Sequence, residues 1–575
     1  GKGMDLVTPD MTKAQAIEKI ESDPISLEIM WSRLVTVSEE MWHTVCRTAY
    51  SLIISESQDF GCSILDARGE TLAHSSRVMP VFNLTLPMVV KATLERYPLE
   101  TLSPGDVLVS NDPWLCAGHL FDIAVITPIF YGGKIVAVMG TVGHVGDIGG
   151  TRNGMKATEV FEEGLQIPPM KLLRAGVENE DLFRIMAENI RDSQQVLGDV
   201  RSLIAANETG GRRLTSFMEE YGLSDLTALA EVIQSRSEKA MREAIRALPD
   251  GIFTSNITYN PLGTPMTVPV KVTIAGDEIE LDFEGAPPEV PLGGINCTLS
   301  YTTAHSTYPL KCMLTPNVRG NAGCYRSFTV KAPKGSVLNC NKPAPVSLRT
   351  RTGWYTSPNI FRALSDAAPE KVVAHTGLPS LITVYGKTPE GKVFYDHLLS
   401  GGGQGGSAAK DGKSSVLWPT SAATSSIELL ESRSPVVVLE KGFVTDSAGA
   451  GEHRGGLGAR IRLAKRHDDG LPLTVFVSPE GVNAPIEGLF GGKTGLLAHG
   501  YVRDEEGKVV EDVGSGGLVV VDRTDRIVEL QLGGGAGYGD PEKRSVESVE
   551  EDIREQRVSA ENAETVYRLS SRKKE

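Results

Sequence analysis

The tightest restriction on the fold comes from residues 121–144, where two runs of apolar and β-branched residues, 121–130 and 135–142, flank Tyr131-Gly132-Gly133-Lys134. A glycine pair supplies the backbone freedom that a tight antiparallel reversal needs, so the two runs are predicted to form a β-hairpin. Its loop decides its register. With a three-residue loop Gly132-Gly133-Lys134, Tyr131 faces Ile135, and counting back places Asp122 directly opposite His144, on one face with Cβ atoms about 5 Å apart. A two-residue Gly-Gly loop shifts the pairing by one and sends the two side chains to opposite faces unless a bulge restores it. His119 has the wrong parity for the strand and must reach in from the turn at Gly118.

Around this hairpin the chain divides by texture. Asp23-Pro24 supplies a helix cap and a first-turn proline, and Leu27, Met30, Leu34, Val37, Met41 and Val45 then recur at helical spacing, which makes that stripe a core face. Residues 59–141 carry short apolar runs between turns. Leu182–Leu197, Leu223–Arg236 and Glu238–Leu248 read as helices, with Gly210-Gly211 standing apart as breakers. Beyond Pro249-Asp250-Gly251 strands are predicted at Val268–Ile274 and Glu278–Phe283, followed by helices at 296–312 and 356–376. After residue 380, glycine gathers at 401–406, 449–458, 488–495 and 533–539, with β-type runs between, and an amphipathic helix follows Ser545.

The predicted fold is therefore α+β, a mixed α/β multidomain chain. A metal-bearing hairpin lies in an N-terminal mixed sheet under a helical layer (20–250), followed by a middle α/β domain (251–380), a β-rich, glycine-rich domain (381–545) and a terminal helix (546–575).

Composition excludes several functions. The net charge of −15 argues against nucleic acid or anionic membrane as partner, because both reward clustered Lys and Arg. Apolar runs fall short of the roughly 20 residues a membrane-spanning helix needs. The opening GKGMDLVTPDMTKAQ has no apolar central stretch, and the seven cysteines are odd in number with no Cys-x-x-Cys pair, so a cytoplasmic protein with free thiols is expected.

Ligand-type residues gather in two stretches, Gly118-His-Leu-Phe-Asp122 and Gly143-His-Val-Gly-Asp147. Two imidazoles and a carboxylate, His119, Asp122 and His144, make a sensible donor set for a divalent transition metal, zinc or manganese ahead of iron. The same residues also read as strand-end histidines and a turn-capping aspartate. Asp147 is a candidate general base or a partner of a ligand, and Asp59 and Asp112, with Asn111, are candidates to orient the pocket. Each is also a potential cap. Gly401-Gly-Gly-Gln-Gly-Gly406 matches a dinucleotide fingerprint but lacks the helix that must follow, and Gly412-Lys413-Ser414 misses phosphate-loop spacing, so this chain is not expected to bind ATP itself. His453-Arg454 reads as a solvated surface pair ahead of an anion site. No Gly-x-Ser-x-Gly or His-Glu-x-x-His motif supports serine-hydrolase or zincin chemistry.

A resemblance adds to this. Gln58-Asp-Phe-Gly-Cys62, Ser110-Asn-Asp-Pro113, Gly118-His-Leu-Phe-Asp122, His144-Val-Gly-Asp-Ile-Gly-Gly150, Gly293-Gly-Ile-Asn296, the glycine-rich 448–458, Gly488-Leu-Phe-Gly-Gly492 and 533–541 run collinearly with the B subunit of the hydantoinase and oxoprolinase family. Its relatives include the metal-binding subunits of acetone and acetophenone carboxylase. The resemblance implies His119, Asp122 and His144 as metal ligands. It also implies an ATP-binding A-type partner subunit that phosphorylates a cyclic amide, and a hetero-oligomer with two or more copies of each chain. Hydrolysis of the activated small-molecule ring, a hydantoin, 5-oxoproline or lactam, is the implied reaction, with ATP-dependent ketone carboxylation as the alternative. Cys116 and Phe121 depart from the family pattern, which expects Gly and often Pro there, and so bear on substrate identity more than on ligation.

Overall fold

Leu27, Met30, Leu34, Val37, Met41 and Val45 are all buried along one face of the helix Pro24–Thr48. Its first turn is closed by Asp23, whose carboxylate accepts from the Ser26 N–H at 3.1 Å. The computed structural model containing it describes residues 5–574. Against this helix lies the 29-residue helix Ser193–Tyr221, which runs straight through Gly210-Gly211 rather than breaking there. A Cβ at Gly210 would meet Met41 Sδ at 2.5 Å, and one at Gly211 would meet Ile129 Cδ1 at 2.6 Å. The glycines cost roughly 1 kcal/mol each in helix propensity, and close approach of helix to helix and helix to sheet offsets it.

Both helices cover a seven-stranded sheet made of β1 (Phe60–Asp66), β2 (Thr71–His74), β3 (Val107–Ser110), β4 (Asp122–Tyr131), β5 (Lys134–His144), β6 (Met170–Arg174) and β7 (Val177–Glu178). Its order is β2-β1-β5-β4-β3-β6-β7, and every pairing is antiparallel. The β4–β5 reversal is a two-residue turn, not the expected three-residue loop: Tyr131 pairs with Lys134, with Gly132 and Gly133 at φ of 60° and 79°. Positive φ at both positions gives the turn the twist that a hairpin requires. A bulge between Ile129 and Phe130 then shifts the ladder by one, so Ile129 pairs with Ala137 and Asp122 with His144. The expected pairing is reached by a different route.

Side chains alternate across this sheet into two cores. Ile123, Val125 and Met139 face the helical layer, whereas Ala124, Ile126 and Val138 face a second core. Burial on both faces explains why the strands read as near-continuous apolar runs. The second core also takes Val270, Phe283, Leu310 and Phe361, so residues on both sides of position 250 pack together. The middle sheet, Gly251–Tyr259, Met266–Ala275, Glu278–Asp282 and Phe328–Lys331, is backed by the helices Leu299–Leu314 and Thr356–Ala363. The second of these is shorter than predicted.

Two further sheets follow, of four and five strands. The glycine runs between them are not strands. They interleave through main-chain hydrogen bonds, Gly403 N–H to Gly533 O (3.0 Å), Gly535 N–H to Gly456 O (3.0 Å) and Gly456 N–H to Gln404 O (2.7 Å). A Cβ at Gly403, Gly405 or Gly535 would run into the carbonyl oxygen of Gly456, Ala374 or Gln404 respectively. Arg454 is buried rather than solvated. Its Nε donates to Asp552 Oδ1 at 3.0 Å, and Arg544 Nε donates to Asp552 Oδ2 at 3.1 Å, which ties the helix Val546–Arg554 onto the glycine layer. The seven cysteines are free. Among the described residues no helix is long and apolar enough to cross a membrane.

The five-stranded sheet carries an acid-sensitive element. Glu529, fully buried, accepts from Arg462 Nε at 2.6 Å and Arg503 Nε at 3.0 Å, and its second oxygen lies 2.7 Å from His499 Nε2. Burial pushes its carboxyl up, but the bonds from His499, Arg503 and Arg462 outweigh this and hold it well below the usual carboxylate range. A depressed folded-state pKa means stability present at neutral pH and lost as pH falls below the ordinary glutamate value of about 4.3. Glu529→Gln is expected to cost about 2 kcal/mol at neutral pH and to flatten the acid limb. Unfolding midpoints measured between roughly pH 3 and pH 7 check both, and an unchanged acid limb contradicts the assignment.

Candidate functional site

The open end of the β4–β5 hairpin carries the first concentration of chemistry, because β4 starts at Asp122 and β5 ends at His144. The approach to β4 is fixed by Asn111. Its Oδ1 accepts from the Ile167 N–H at 2.6 Å, and its amide nitrogen donates to Leu120 O and Leu165 O at 2.8 and 2.9 Å. Gly118 turns the chain at φ 93°, where a Cβ would meet Arg349 Cδ at 2.9 Å. His119 thereby reaches in from the turn and sets its Nδ1 2.6 Å from Asp122 Oδ2. The rings of His119 and His144 lie 5.1 Å apart, and Phe121 stacks on His144 at 5.2 Å.

Among the described residues, three buried atoms in this cluster have no hydrogen-bond partner: His119 Nδ1, which lies close to Asp122 but off hydrogen-bonding geometry, Asp122 Oδ1 and His144 Nδ1. An unsatisfied buried polar atom costs about 1–3 kcal/mol, so three at one place form a donor set with lone pairs to spare. Burial, reinforced by Arg349, holds the His119 imidazole well below its usual range, and burial with the neighbouring His119 does the same for His144. Both rings are thus neutral, the form that donates a lone pair. Burial pushes the Asp122 carboxyl up to about 6 against the pull of Arg349. Among the described residues no three His, Cys, Asp or Glu side chains close around one point as they stand. Instead, Asp122 Oδ2 accepts from Arg349 Nη2 at 3.1 Å. The donor chemistry nevertheless fits a borderline divalent cation: two neutral imidazoles and a carboxylate, each with an unspent lone pair.

The three other aspartates separate cleanly. Asp59 lines the same cavity, and neither of its carboxylate oxygens has a hydrogen-bond partner among the described residues. Burial, with the Asp122 charge added, pushes its carboxyl up to about 7. Asp147 is fully engaged: it accepts from the Gly149 N–H at 3.0 Å, the Arg191 N–H at 2.7 Å and Arg191 Nη1 at 2.8 Å. That pins the loop after His144 and leaves no free base there. Asp112 caps its own turn through the Trp114 N–H at 2.9 Å, outside the cavity.

The cavity, about 140 Å³, is walled largely by apolar side chains, among them Ile53, Val81, Phe82, Leu399 and Phe476. Polar groups from distant segments enter it. His305, within the helix Leu299–Leu314, has both ring nitrogens unpartnered, and the Tyr301 hydroxyl is likewise free. Burial pushes Glu480 up to about 7. Arg349 is held by its Nε bond to Ala117 O at 2.7 Å and lies over the Tyr301 ring. Sequence reasoning singled out none of these four. No spacing rule links position 122 to 305, 349 or 480, and His305 sits in an ordinary helical run.

The sequence profile described as hydantoinase B/oxoprolinase matches residues 23–541. The B subunit of a putative D-/L-hydantoinase from Pseudomonas sp. (strain NS671) is 30% identical over 565 residues, covering 95% of each chain. The crystal structure of an ATP-dependent caprolactamase from Pseudomonas jessenii superposes with a TM-score of 0.85 at 28% identity, over 95% of this chain and 96% of that one. An acetone carboxylase structure superposes with a TM-score of 0.84 at 20% identity, over 96% of this chain and 81% of that one.

Proposed function

The chain belongs to the hydantoinase B/oxoprolinase family, and from that premise we propose that it is the ring-opening subunit of an ATP-dependent cyclic-amide hydrolase. In this reading a separate ATP-binding subunit phosphorylates the amide oxygen, and the activated ring is opened here. The observation that carries it is the trio of unpartnered buried donors on His119, Asp122 and His144 beside a largely apolar cavity. Those three residues would hold a divalent cation, zinc or manganese. The chemistry such a cation would supply is a water with its pKa lowered toward about 7 and a polarised acyl centre.

The remaining steps belong to the chain's own side chains. The apolar walls receive the methylene part of a ring, and His305 and the Tyr301 hydroxyl offer hydrogen bonds to its polar edge. Arg349, anchored on Ala117 and Asp122, keeps the His119 turn in place. Asp59, the only one of the three candidate aspartates free and facing the cavity, accepts the proton of the attacking water. Asp147 positions the His144 loop through Arg191. Opening a phosphorylated cyclic amide consumes two waters: one breaks the ring C–N bond, with the electron pair and a proton going to nitrogen, and the second releases phosphate from the acyl carbon. Free thiols throughout are in keeping with a cytoplasmic complex.

Ketone carboxylation, the alternative, has only a shared fold behind it. Co-purification with an ATP-binding partner, followed by ATP-consumption assays on lactams, hydantoins, 5-oxoproline and ketones, decides between them. Ring-opened product formed without bicarbonate is expected. Bicarbonate-dependent consumption of a ketone alone, or protein that carries no stoichiometric metal, contradicts the proposal.

A further inference from the structure

A second, smaller cavity of about 100 Å³ adjoins the first and shares His119, His144, Ser347, Leu348, Leu381 and Phe476 with it. It differs from the first in holding Arg152, Thr383, Tyr385, Tyr395 and His397. Arg152 lays its guanidinium over the Tyr385 ring at 4.1 Å and lies 6.0 Å from that of Tyr395. Its Nε is buried with no hydrogen-bond partner, and among the described residues no carboxylate lies within ion-pair distance of it. His397, nine-tenths buried, has Nδ1 3.0 Å from Thr383 Oγ1 and its Nε2 unpartnered. The one carboxylate lining the cavity, Asp147, is already neutralised by Arg191 at 2.8 Å. One cation without a carboxylate partner, lying over an aromatic ring beside an unpartnered imidazole nitrogen, is a receptor for an oxyanion.

We propose that this cavity is a phosphate subsite: it takes the phosphoryl group of the activated substrate and then holds inorganic phosphate before release. The proposal rests on the ring-opening reading above for its substrate but not for its ligand chemistry. A substrate lying across both cavities sets its ring among the apolar walls and its phosphoryl group against Arg152, with the carbon that joins them beside His119 and His144. Arg152 lines the second cavity and not the first, so the phosphoryl end of such a molecule meets its counter-charge there.

The test is titration of inorganic phosphate into the full chain, stripped of metal with a chelator so that no cation binds the probe directly, followed by calorimetry or 31P line broadening. One phosphate per chain is expected, with affinity reduced roughly tenfold or more in Arg152→Met. Arg152→Lys keeps the charge but not the planar fork and is expected to fall between the two. His397→Gln, which retains a hydrogen-bond donor, should weaken binding less than Arg152→Met. Succinate is titrated in parallel as a carboxylate probe. Equal phosphate affinity in wild type and Arg152→Met, both melting alike, overturns the proposal, and so does Arg152-dependent binding of succinate as tight as that of phosphate. Arg152-dependent phosphate binding in a complex that opens no ring sinks the functional reading and leaves the subsite standing. Ring opening with Arg152-independent phosphate binding does the reverse.

Discussion

His144→Ala is expected to release the metal and lower ring-opening turnover by about three orders of magnitude, the equivalent of ~4 kcal/mol of transition-state stabilisation. On the proposed ligand assignment, removing one of three donors leaves a site that cannot compete with water for a divalent ion, and a second donor, Asp122 Oδ2, is already shared with Arg349. His144 is a cleaner target than Asp122. An asparagine at position 122 would leave the Arg349 guanidinium buried without its counter-charge, so lost activity would be mixed with lost stability. His144 makes no hydrogen bond through Nδ1, and its replacement forfeits little beyond stacking on Phe121. Elemental analysis of the purified variant, steady-state turnover with the partner subunit and a melting curve separate the outcomes. Stoichiometric metal retained in a folded His144→Ala protein would falsify the ligand assignment.

Gly403→Ala is expected to destabilise the chain by about 3 kcal/mol or more, enough to lower its thermal midpoint by several degrees. The added methyl meets a backbone carbonyl, that of Gly456, rather than the end of a flexible side chain. Relief requires one run of the interleaved glycine layer to move away from the others, and main-chain bonds from Gly403 to Gly533 and from Gly535 to Gly456 resist this. Gly442→Ala is the matched control. That glycine lies in the strand Val436–Phe443 with nothing within 4 Å of a built Cβ, and its replacement should change the midpoint little. If both variants melt like the wild type, the layer tolerates side chains and close packing is not what these glycines provide.

The site was only partly legible. The hairpin, its glycine reversal and the pairing of Asp122 with His144 follow from apolar runs and turn residues next to one another in the chain. Even so, the expected three-residue loop was wrong, and a bulge compensated. Turn length and bulge are decided together by twist and packing, and the sequence constrains only their sum. Asp59, Asp112 and Asp147 look alike as sequence, each beside a strand end. Their surroundings diverge: among the described residues Asp147 meets Arg191 from a distant segment, Asp112 meets only the local Trp114 amide, and the Asp59 carboxylate meets no hydrogen-bond partner. The Gly210-Gly211 pair misled for a similar reason. Helix propensity is local, whereas the need for Met41 and Ile129 to come close is not.

What the sequence determined by itself was everything with a short period or a fixed neighbour: the helix stripe from Leu27 to Val45, the cap at Asp23, the antiparallel hairpin and the presence of imidazole and carboxylate at its open end. Tertiary structure alone decided which charges meet. Arg349 reaches Asp122 across 227 residues of chain, Arg152 settles on Tyr385, and His305 and Glu480 enter the cavity from separate segments. Periodicity and turn chemistry act over a few bonds and leave a trace in any short window. Contacts between distant side chains depend on how whole layers stack, and no short stretch of sequence records that.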